Sequence, residues 1–323
     1  MCAKMKHKQP TEAIVLATEK DKESLIRNIP YIYQNTGVKT VYVIANTKNK
    51  DWIKKIHGAV FYDESQVITG LNIESVKSKI FQLTGSEKYA GWYLQQFLKM
   101  AWAYRATGEN YLAIDADTSI LNPVDYITDD GKYFLTIKVE YHKPYFDTVK
   151  KLFNEIERIE AGSFIAEQMI FDCRYMKELI ERIEQNYSSS TKKFFEIILE
   201  TINKEDICKG GFSEFETYGN YITQKYPDDV VLRKLRTFRQ GSDILGANPS
   251  PNLIDWASKD FDIVSFENYE IVGKRVKMFR LFASIPFVQN CFRFKTIAKL
   301  YQKITKLSNS IGKKNTLIFD EIE

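Results

Sequence analysis

Histidine and cysteine are scarce in this 323-residue chain, which contains three of the first and four of the second. The cysteines are scattered and form no Cys-X-X-Cys pair: Cys2, Cys173, Cys208 and Cys291. Neither a disulfide framework nor a cysteine-rich zinc site is therefore expected, and the thiols are predicted to be reduced and intracellular. With three histidines, a histidine-rich metal cluster is excluded as well.

Long apolar runs are also missing. No run approaches the roughly 18 residues that a membrane-spanning helix needs, and no apolar stretch of signal-peptide type follows the basic N-terminus. The chain has no glycine-rich phosphate loop of P-loop or dinucleotide type, and no local signature of Ser-His or Cys-His nucleophilic catalysis. These absences predict a cytoplasmic protein without a membrane span, and they exclude the common nucleotide-binding loops.

Charge is distributed unevenly although the net charge is only +4. Residues 271–319 contain eleven Lys or Arg and no Asp or Glu, so the rest of the chain is net acidic. We expect three parts: a basic N-terminal tail at 1–10, a single α/β domain at 11–270, and a basic amphipathic helical tail at 271–323.

Short apolar runs alternate with helical patterns through the predicted domain. The runs at 13–18 and 41–45 flank a helix-like segment, which is typical of a βαβ unit in a parallel sheet. Further strands are predicted at 111–118, 134–139, 164–171, 230–238 and 263–266, and helices at 92–106, 149–159, 173–186, 191–203 and from about 213. The predicted fold is α/β and Rossmann-like: a mixed, mostly parallel sheet flanked by helices, with a C-terminal helical appendage.

The segment Tyr-Leu-Ala-Ile-Asp-Ala-Asp-Thr at 111–118 is an apolar run that ends in two carboxylates. Such a pair at the end of a central strand costs stability unless a divalent cation that also binds phosphate oxygens compensates the charge. Asp115 and Asp117 are therefore candidate metal ligands, with a helix cap or turn as the alternative. A second Asp-X-Asp, Asp260 to Asp262, precedes a predicted strand and is expected to be a solvated turn.

Other polar residues are predicted near the same site. Ligands of open α/β sheets bind beyond the carboxyl ends of the strands, so Thr18 and Glu19 at the end of the first strand are candidates. Trp92, Gln95 and Gln96 begin a predicted helix and offer a ring and two amides to a donor or sugar pocket. Trp92 suits a core position equally well.

Two glutamates follow a predicted helix start at Ser213. The spacing of Ser213 and Glu216 fits a capping box, which accounts for Glu216 without catalysis. Glu214 is not needed for the cap, and the helix dipole favours its anionic form, so it is the candidate general base for an incoming hydroxyl if it faces the cleft. Both are kept as catalytic candidates, and the alternative is that they only complement the helix end.

The basic tail includes one clearly amphipathic helix. Its apolar face comprises Ile297, Leu300, Tyr301, Ile304 and Leu307, with lysines elsewhere. This pattern suits an anionic membrane surface, where each cation contributes about 1 kcal/mol. Residues 275–310 are thus predicted to bind the inner face of the cell membrane. Two alternatives for the tail stay open, nucleic-acid binding through phosphates and packing of the helix on the acidic domain; of these, nucleic acid is not expected as a partner.

Four motifs together resemble those of bacterial, and occasionally viral, GT-A-type glycosyltransferases of surface-polysaccharide (lipopolysaccharide or capsule) assembly. They are the segments at 91–99, 111–118, 163–172 and 212–221, GWYLQQFLK, YLAIDADT, SFIAEQMIFD and FSEFETYGNY. The resemblance implies a GT-A-like fold over about residues 10–270 and a nucleotide-diphosphate sugar as donor. It further implies Mn²⁺ or Mg²⁺ on Asp117, Asp115 supporting the metal or ribose, nucleoside binding near Thr18, and a glycan or lipid-linked glycan acceptor.

The chain departs from that pattern at the third motif, which usually carries histidines where Glu167 and Gln168 stand. Those two polar residues are expected to hydrogen-bond internal partners or a substrate hydroxyl, and a third metal ligand is not predicted. Inversion, with Glu214 as base, and retention both stay open. The alternative functions are a sugar-nucleotidyltransferase, for which residues 18–24 lack the glycines, and a non-catalytic phosphate- or polysaccharide-binding protein recruited to membranes.

Overall fold

The central sheet has the strand order β3-β2-β1-β4-β7 in the computed structural model, which describes residues 9–186, 191–267 and 273–311. The strands of the fold are β1 (Glu12–Leu16), β2 (Thr40–Ala45), β3 (Ala59–Asp63), β4 (Asn110–Asp115), β5 (Thr118–Ile120), β6 (Tyr133–Thr136), β7 (Gln168–Asp172), β8 (Val230–Arg233), β9 (Thr237–Phe238) and β10 (Ile263–Ser265). Small sheets β5-β10-β9 and β6-β8 accompany the central one.

Helices cover this sheet, and further helices follow it at the C-terminal end of the described chain. They are α1 (Lys22–Thr36), α2 (Lys50–Ile53), α3 (Ile73–Thr84), α4 (Ala90–Ala101), α5 (Lys143–Leu152), α6 (Cys173–Asn186), α7 (Phe194–Thr201), α8 (Lys204–Ile207), α9 (Glu214–Lys225), α10 (Gly241–Leu245), α11 (Pro251–Ser258), α12 (Lys274–Ala283), α13 (Pro286–Cys291) and α14 (Phe294–Ile311).

Strands β1, β2, β3 and β4 pair in parallel, and β7 pairs antiparallel with β4. The predicted α/β fold with a mostly parallel sheet flanked by helices is confirmed. Residues 111–114 are apolar because β4 lies between β1 and β7, and these residues are fully buried. In the register of β1 and β4, Leu16 lies opposite Asp115, so both strands end at the same edge of the sheet.

Several elements differ from the predicted ones. Strand β3 was not predicted; it is a mostly half-buried edge strand with the short apolar run Ala-Val-Phe-Tyr. The helix expected at 149–159 is wrong in its bounds: α5 begins at Lys143, with Pro144 in its first turn, and ends at Leu152. Buried Phe153 and Ile156 belong to an irregular segment whose apolar residues happen to have helical spacing. The predicted strand at 230–238 is two strands, β8 and β9, in different sheets.

A second hydrophobic core joins the C-terminal helices to the domain. It contains Trp256 and Phe261 from the domain and Phe279, Phe294 and Tyr301 from the tail. The predicted boundary at residue 270 therefore does not separate two cores. Much of the apolar face of α14 packs on the domain, which is one of the alternatives that the sequence left open.

Polar contacts reinforce this junction. The ion pair of Arg293 with Asp260 and the hydrogen bond from the Tyr301 hydroxyl to Asp243 Oδ2 (2.7 Å) connect the tail to the domain. The second Asp-X-Asp is thus not the solvated turn that was expected, because Asp260 is buried and paired and Asp262 forms an ion pair with Arg236. No helix within the described ranges combines the length and apolarity needed to cross a bilayer.

The second core predicts a clear difference between two phenylalanines of the tail. Phe294 is fully buried against Phe238, Trp256 and Phe261, with ring centroids 5.0–5.6 Å away, whereas 69% of Phe287 is exposed. Phe294→Ala should lower the free energy of unfolding by about 3–5 kcal/mol, and Phe287→Ala by less than about 0.5 kcal/mol. Denaturant unfolding measures both. Equal effects would contradict the packing described here.

Candidate active site

Backbone contacts fix the Asp115-Ala116-Asp117 segment at the end of β4. The amide of Asp115 donates to the carbonyl of Glu167 (3.0 Å), and the amide of Phe266 donates to the carbonyl of Asp117 (2.9 Å). Between them, the side-chain amide of Asn28 donates to the carbonyl of Ala116 (2.8 Å). Three separate parts of the chain therefore hold this loop in place before any ligand binds.

The carboxylate of Asp117 is half-buried and accepts no hydrogen bond from another residue in the part of the chain that the structure describes. Burial, together with the carboxylates of Asp115, Glu267 and Asp21, raises the pKa of Asp117 to about 7. A positive charge nearby would lower the pKa of Asp117 again, because it favours the ionised carboxylate. Arg27 interacts with this carboxylate: burial lowers the pKa of its guanidinium to about 10, and the negative charge of Asp117 opposes that shift.

Asp115 is held by a buried lysine. The ammonium of Lys99, whose side chain is 4% exposed, donates to Asp115 Oδ1 (2.7 Å) and to Glu214 Oε1 (2.8 Å). It also lies 4.2 Å from the centroid of the Phe215 ring. Burial alone would lower the pKa of Lys99, but the two carboxylates outweigh it and raise the pKa above its ordinary value. Lys99 is therefore charged, and it fixes one oxygen of Asp115, while the other oxygen accepts no hydrogen bond in the part of the chain that the structure describes.

Part of the wall of the site is an ion-pair network around Arg239. The guanidinium contacts Glu140 (2.6 Å), Glu267 (2.6 Å) and Glu167 (3.4 Å). Lys138 contacts the same oxygen of Glu167 at 3.2 Å. Glu167 is thus paired internally, as expected from the sequence, and Gln168 likewise donates to Thr136 Oγ1 at 3.3 Å.

Two neighbouring clefts meet at this edge of the sheet. The first, of about 340 Å³, lies over the Asp pair and has more acidic than basic side chains in its lining, which comprises Lys20, Asp21, Trp92, Gln95, Gln96, Lys99, Asp115, Asp117, Glu167, Arg239, Glu267 and the apolar residues between them. The second, of about 330 Å³, extends over the ends of β1 and β2 past Thr18, Asn46 and Asn49. Leu16, Lys20, Trp92 and Gln95 line both, so the two clefts are continuous.

Most of the predicted binding residues lie here. Thr18 lines the second cleft, but its amide and hydroxyl both donate to Asp21 Oδ2 (2.8 and 2.9 Å). Trp92 and Gln95 line both clefts, and Gln96 lines the first. Glu19 is exposed and lies outside the lining of either cleft, so the structure does not support its predicted role.

The two glutamates of α9 are not placed as the general-base prediction requires. Glu214 is 1% exposed and lies behind Lys99 instead of facing the cleft. Glu216 is completely buried, and its carboxylate accepts from the amide of Phe164 (2.7 Å) and from Asn220 Nδ2 (2.7 Å). Ser213 does cap the helix by accepting from the amide of Glu216 at 3.2 Å. Both glutamates therefore act on structure, and the direct catalytic roles predicted for them are corrected.

A divalent cation at this site would need further coordinating oxygens from a bound phosphate or from water. No group of three or more His, Cys, Asp or Glu side chains is arranged to hold a metal ion among the described residues. Within the described ranges, Asp117 nevertheless offers a carboxylate without a hydrogen-bond partner, and Asp115 offers its oxygen Oδ2, which accepts no hydrogen bond. Mg²⁺ is commonly held by one or two carboxylates together with substrate phosphates and water. The residues present suit a phosphate-bound Mg²⁺ or Mn²⁺, not a cage made of protein alone.

The sequence did not single out Lys99, Asn28 or Arg239. Lys99 belongs to the 91–99 motif, where an isolated lysine in an apolar helix face is the signal for a buried ion pair. Asn28 lies on the buried face of α1, and only the fold brings it to Ala116. Arg239 is 122 residues from Asp117 in the chain, and no sequence pattern links the two.

The burial of Glu216 predicts a pH dependence of stability. Burial is the main cause that raises the pKa of Glu216 to about 7, so the folded protein holds this proton more tightly than the unfolded chain. Between about pH 4.5 and 7 the folded state binds more protons, and stability falls as pH rises. The free energy of unfolding of the wild type, relative to Glu216→Gln, should decrease by up to about 3 kcal/mol from pH 4.5 to 8. A difference that does not change with pH would contradict the burial of an ionisable carboxyl here.

Comparisons with solved structures return glycosyltransferases at low similarity. Galactosyltransferase LgtC in complex with donor and acceptor sugar analogs is 11% identical, with 85% of this chain and 97% of that chain covered and a TM-score of 0.40. GlyE from Streptococcus pneumoniae TIGR4 is 10% identical (92% and 64% covered, TM-score 0.41), and mouse xyloside xylosyltransferase 1 is 9% identical (79% and 98% covered, TM-score 0.39). These values are too low to support an inference about activity.

Sequence comparison gives a family. No curated protein sequence matches the chain. The family model DUF6492, described as a family of unknown function, matches residues 22–233. This match spans α1 to β8 and therefore includes the Asp pair, Lys99 and both glutamates of α9. Because it covers well over half of the chain, the protein belongs to the family of unknown function DUF6492.

Proposed function

We propose that this protein is a metal-dependent glycosyltransferase. It transfers a sugar from a nucleotide-diphosphate sugar to a hydroxyl of a glycan or lipid-linked glycan in surface-polysaccharide assembly. The observation that carries the proposal is the carboxylate of Asp117, which is half-buried, lacks a hydrogen-bond partner among the described residues, and lies at the carboxyl edge of a mostly parallel sheet. That edge is where ligands of open α/β sheets bind.

The second cleft suits the nucleoside. Its volume of about 330 Å³ lies within the range of small-molecule sites, which is about 300–1,000 Å³. It lies at the ends of β1 and β2 and combines apolar walls from Leu16 and Ile44 with polar groups from Asn46 and Asn49. Because it is continuous with the cleft over Asp117, a nucleoside bound here would direct its diphosphate towards the Asp pair.

The chemistry requires the C–O bond between the sugar and the diphosphate to break and a C–O bond to the acceptor oxygen to form. A nucleoside diphosphate leaves, and the proton of the acceptor hydroxyl passes to the departing diphosphate. A bound cation would offset the charge that develops on the leaving diphosphate. In this chain Asp117 and the open oxygen of Asp115 would hold the cation, and Lys99 would keep Asp115 oriented. Lys20, which also lines both clefts, adds a positive charge for the phosphates.

The proposal does not depend on Glu214 as a base. Its position behind Lys99 gives it a supporting role, because it shares the ammonium that orients Asp115. The side-chain oxygen Oε2 of Glu214 is buried and has no hydrogen-bond partner within the described residues, and burial raises the pKa of this carboxyl. Substitution of Glu214 would therefore affect the Asp pair indirectly, by releasing Lys99, and would not remove a contact with substrate.

We also propose that the protein binds the inner face of the cell membrane, through α12 and α13. On α12 the exposed residues Lys274, Met278 and Leu281 recur at helical spacing on one face, and the exposed Ile285 follows in the turn before α13. Leu281 is 70% exposed, and Phe287 at the start of α13 is 69% exposed. Exposed apolar side chains next to lysines suit an anionic lipid surface. The α12–α13 corner is proposed as the contact in preference to α14, because much of the apolar face of α14 is buried in the second core.

The Asp pair predicts a metal requirement. Wild-type protein with Mn²⁺ should release nucleoside diphosphate from at least one nucleotide sugar of a panel, and chelation should abolish this release. Asp117→Asn removes the charge but keeps the shape, so turnover should fall at least about a hundredfold. Asp262→Asn, in the second Asp-X-Asp, is the matched control and should retain turnover. Metal-independent turnover, or full activity in Asp117→Asn, would refute the proposal; release of pyrophosphate instead would favour a nucleotidyltransferase.

The membrane surface predicts a selective loss of lipid binding. Leu281→Ser combined with Phe287→Ser should weaken binding to phosphatidylglycerol-containing vesicles at least about tenfold, because two exposed apolar side chains no longer insert. Phe81→Ser, at a residue of α3 that is 57% exposed, is the control and should bind like wild type. Vesicle co-sedimentation measures this. Unchanged binding of the double variant, or no binding of wild type, would refute the assignment.

A further inference from the structure

A pair of stacked aromatic rings, one exposed and one half-buried, lies in the connection between β6 and α5 and in the first half of α5. The rings of Tyr141 and Phe146 are parallel to within 11°, with centroids 5.0 Å apart. The guanidinium of Arg158 lies 5.4 Å from the centroid of Tyr141 and 5.5 Å from that of Phe146. Tyr141 is nevertheless 52% exposed. We call these three residues the aromatic platform.

Contacts on both sides of Tyr141 connect the platform to the cleft over the Asp pair. The preceding residue, Glu140, accepts from Arg239 at 2.6 Å, and Arg239 lines that cleft. The following residue, His142, packs edge-on against Tyr145 with centroids 4.4 Å apart. The ring of Tyr145 in turn stacks at 11° on Trp92, which lines both clefts. Tyr141 thus lies between two residues that are tied to the walls of the site.

The backbone around the platform is held in place. Lys138 and Ser163 exchange two backbone hydrogen bonds of 2.9 and 3.0 Å, and His142 Nε2 lies 3.0 Å from the carbonyl oxygen of Gly210. An exposed tyrosine ring with a fixed orientation loses little conformational entropy when a ligand covers it. The platform is therefore a pre-organised surface and not a side chain that moves freely in solvent.

The chemistry of this surface matches a sugar ring. One face of a pyranose carries C–H groups with partial positive charge, which the negative face of an aromatic ring attracts. The hydroxyls at its edge accept hydrogen bonds, and a guanidinium is a planar donor of several. We infer that the aromatic platform binds a pyranose ring of the acceptor glycan, with Tyr141 as the stacking surface. The term acceptor rests on the proposed function, whereas the binding of a pyranose does not.

Saturation-transfer NMR on the full chain tests the binding directly, without turnover. The probes are the methyl pyranosides of glucose, galactose and mannose. At least one should receive saturation from wild-type protein, and Tyr141→Ala should reduce its affinity about five- to tenfold. Tyr141→Phe keeps the ring and should stay within about twofold. Tyr104→Ala, at a tyrosine that is 40% exposed elsewhere on the surface, is the control and should bind like wild type.

The outcomes separate this inference from the proposed function. No saturation of any glycoside by wild type, or equal saturation by Tyr141→Ala, overturns the platform even if nucleotide-sugar turnover is found. If turnover is found, Tyr141→Ala should raise the acceptor KM five- to tenfold and leave acceptor-free donor hydrolysis unchanged. Glycoside binding that depends on Tyr141 in a protein without any turnover would support the platform and refute only the proposed enzyme.

Discussion

The ammonium of Lys99 lies between Asp115 and Glu214 and is almost completely buried. A buried charge is tolerated only when it is paired, so this lysine and its two carboxylates must be present together. Lys99 compensates part of the negative charge of Asp115, whereas Asp117 has no hydrogen-bond partner among the described residues. A cation entering the cleft would therefore bind at the Asp pair. The loop that carries this pair is held by three distant parts of the chain.

The rest of the fold supports this arrangement from two sides. The parallel pairing of β1 and β4 brings both strand ends to one edge, and α9 brings Glu214 under Lys99. The C-terminal helices, which sequence analysis separated as a tail, complete a second core beneath β10. Strand β10 leads to Phe266, whose amide binds the carbonyl of Asp117. The segment that is proposed to contact the membrane is thus part of the same structure that holds the candidate metal ligands.

The sheet and the position of the Asp pair at a strand end were predictable from local patterns. The apolar run at 111–118 that ends in two carboxylates can be recognised from adjacent residues alone. The direction of β7 was not predictable, since the periodicity of a buried strand is the same in parallel and antiparallel pairing. Glu214 illustrates a different limit. Its position in the first turn of a helix was predicted correctly, but whether it faces the cleft depends on Lys99, which lies 115 residues earlier. The partners of Arg239 and Asn28 are likewise set by tertiary structure.

A crystal structure of the protein with a nucleoside diphosphate and Mn²⁺ tests the central claim most directly. The account predicts a cation within about 2.0–2.3 Å of an Asp117 oxygen, with diphosphate oxygens completing its coordination and the nucleoside in the cleft at the ends of β1 and β2. Lys99 should remain between Asp115 and Glu214. A nucleotide bound elsewhere, or a bound diphosphate with Asp117 facing neither cation nor phosphate, would contradict it.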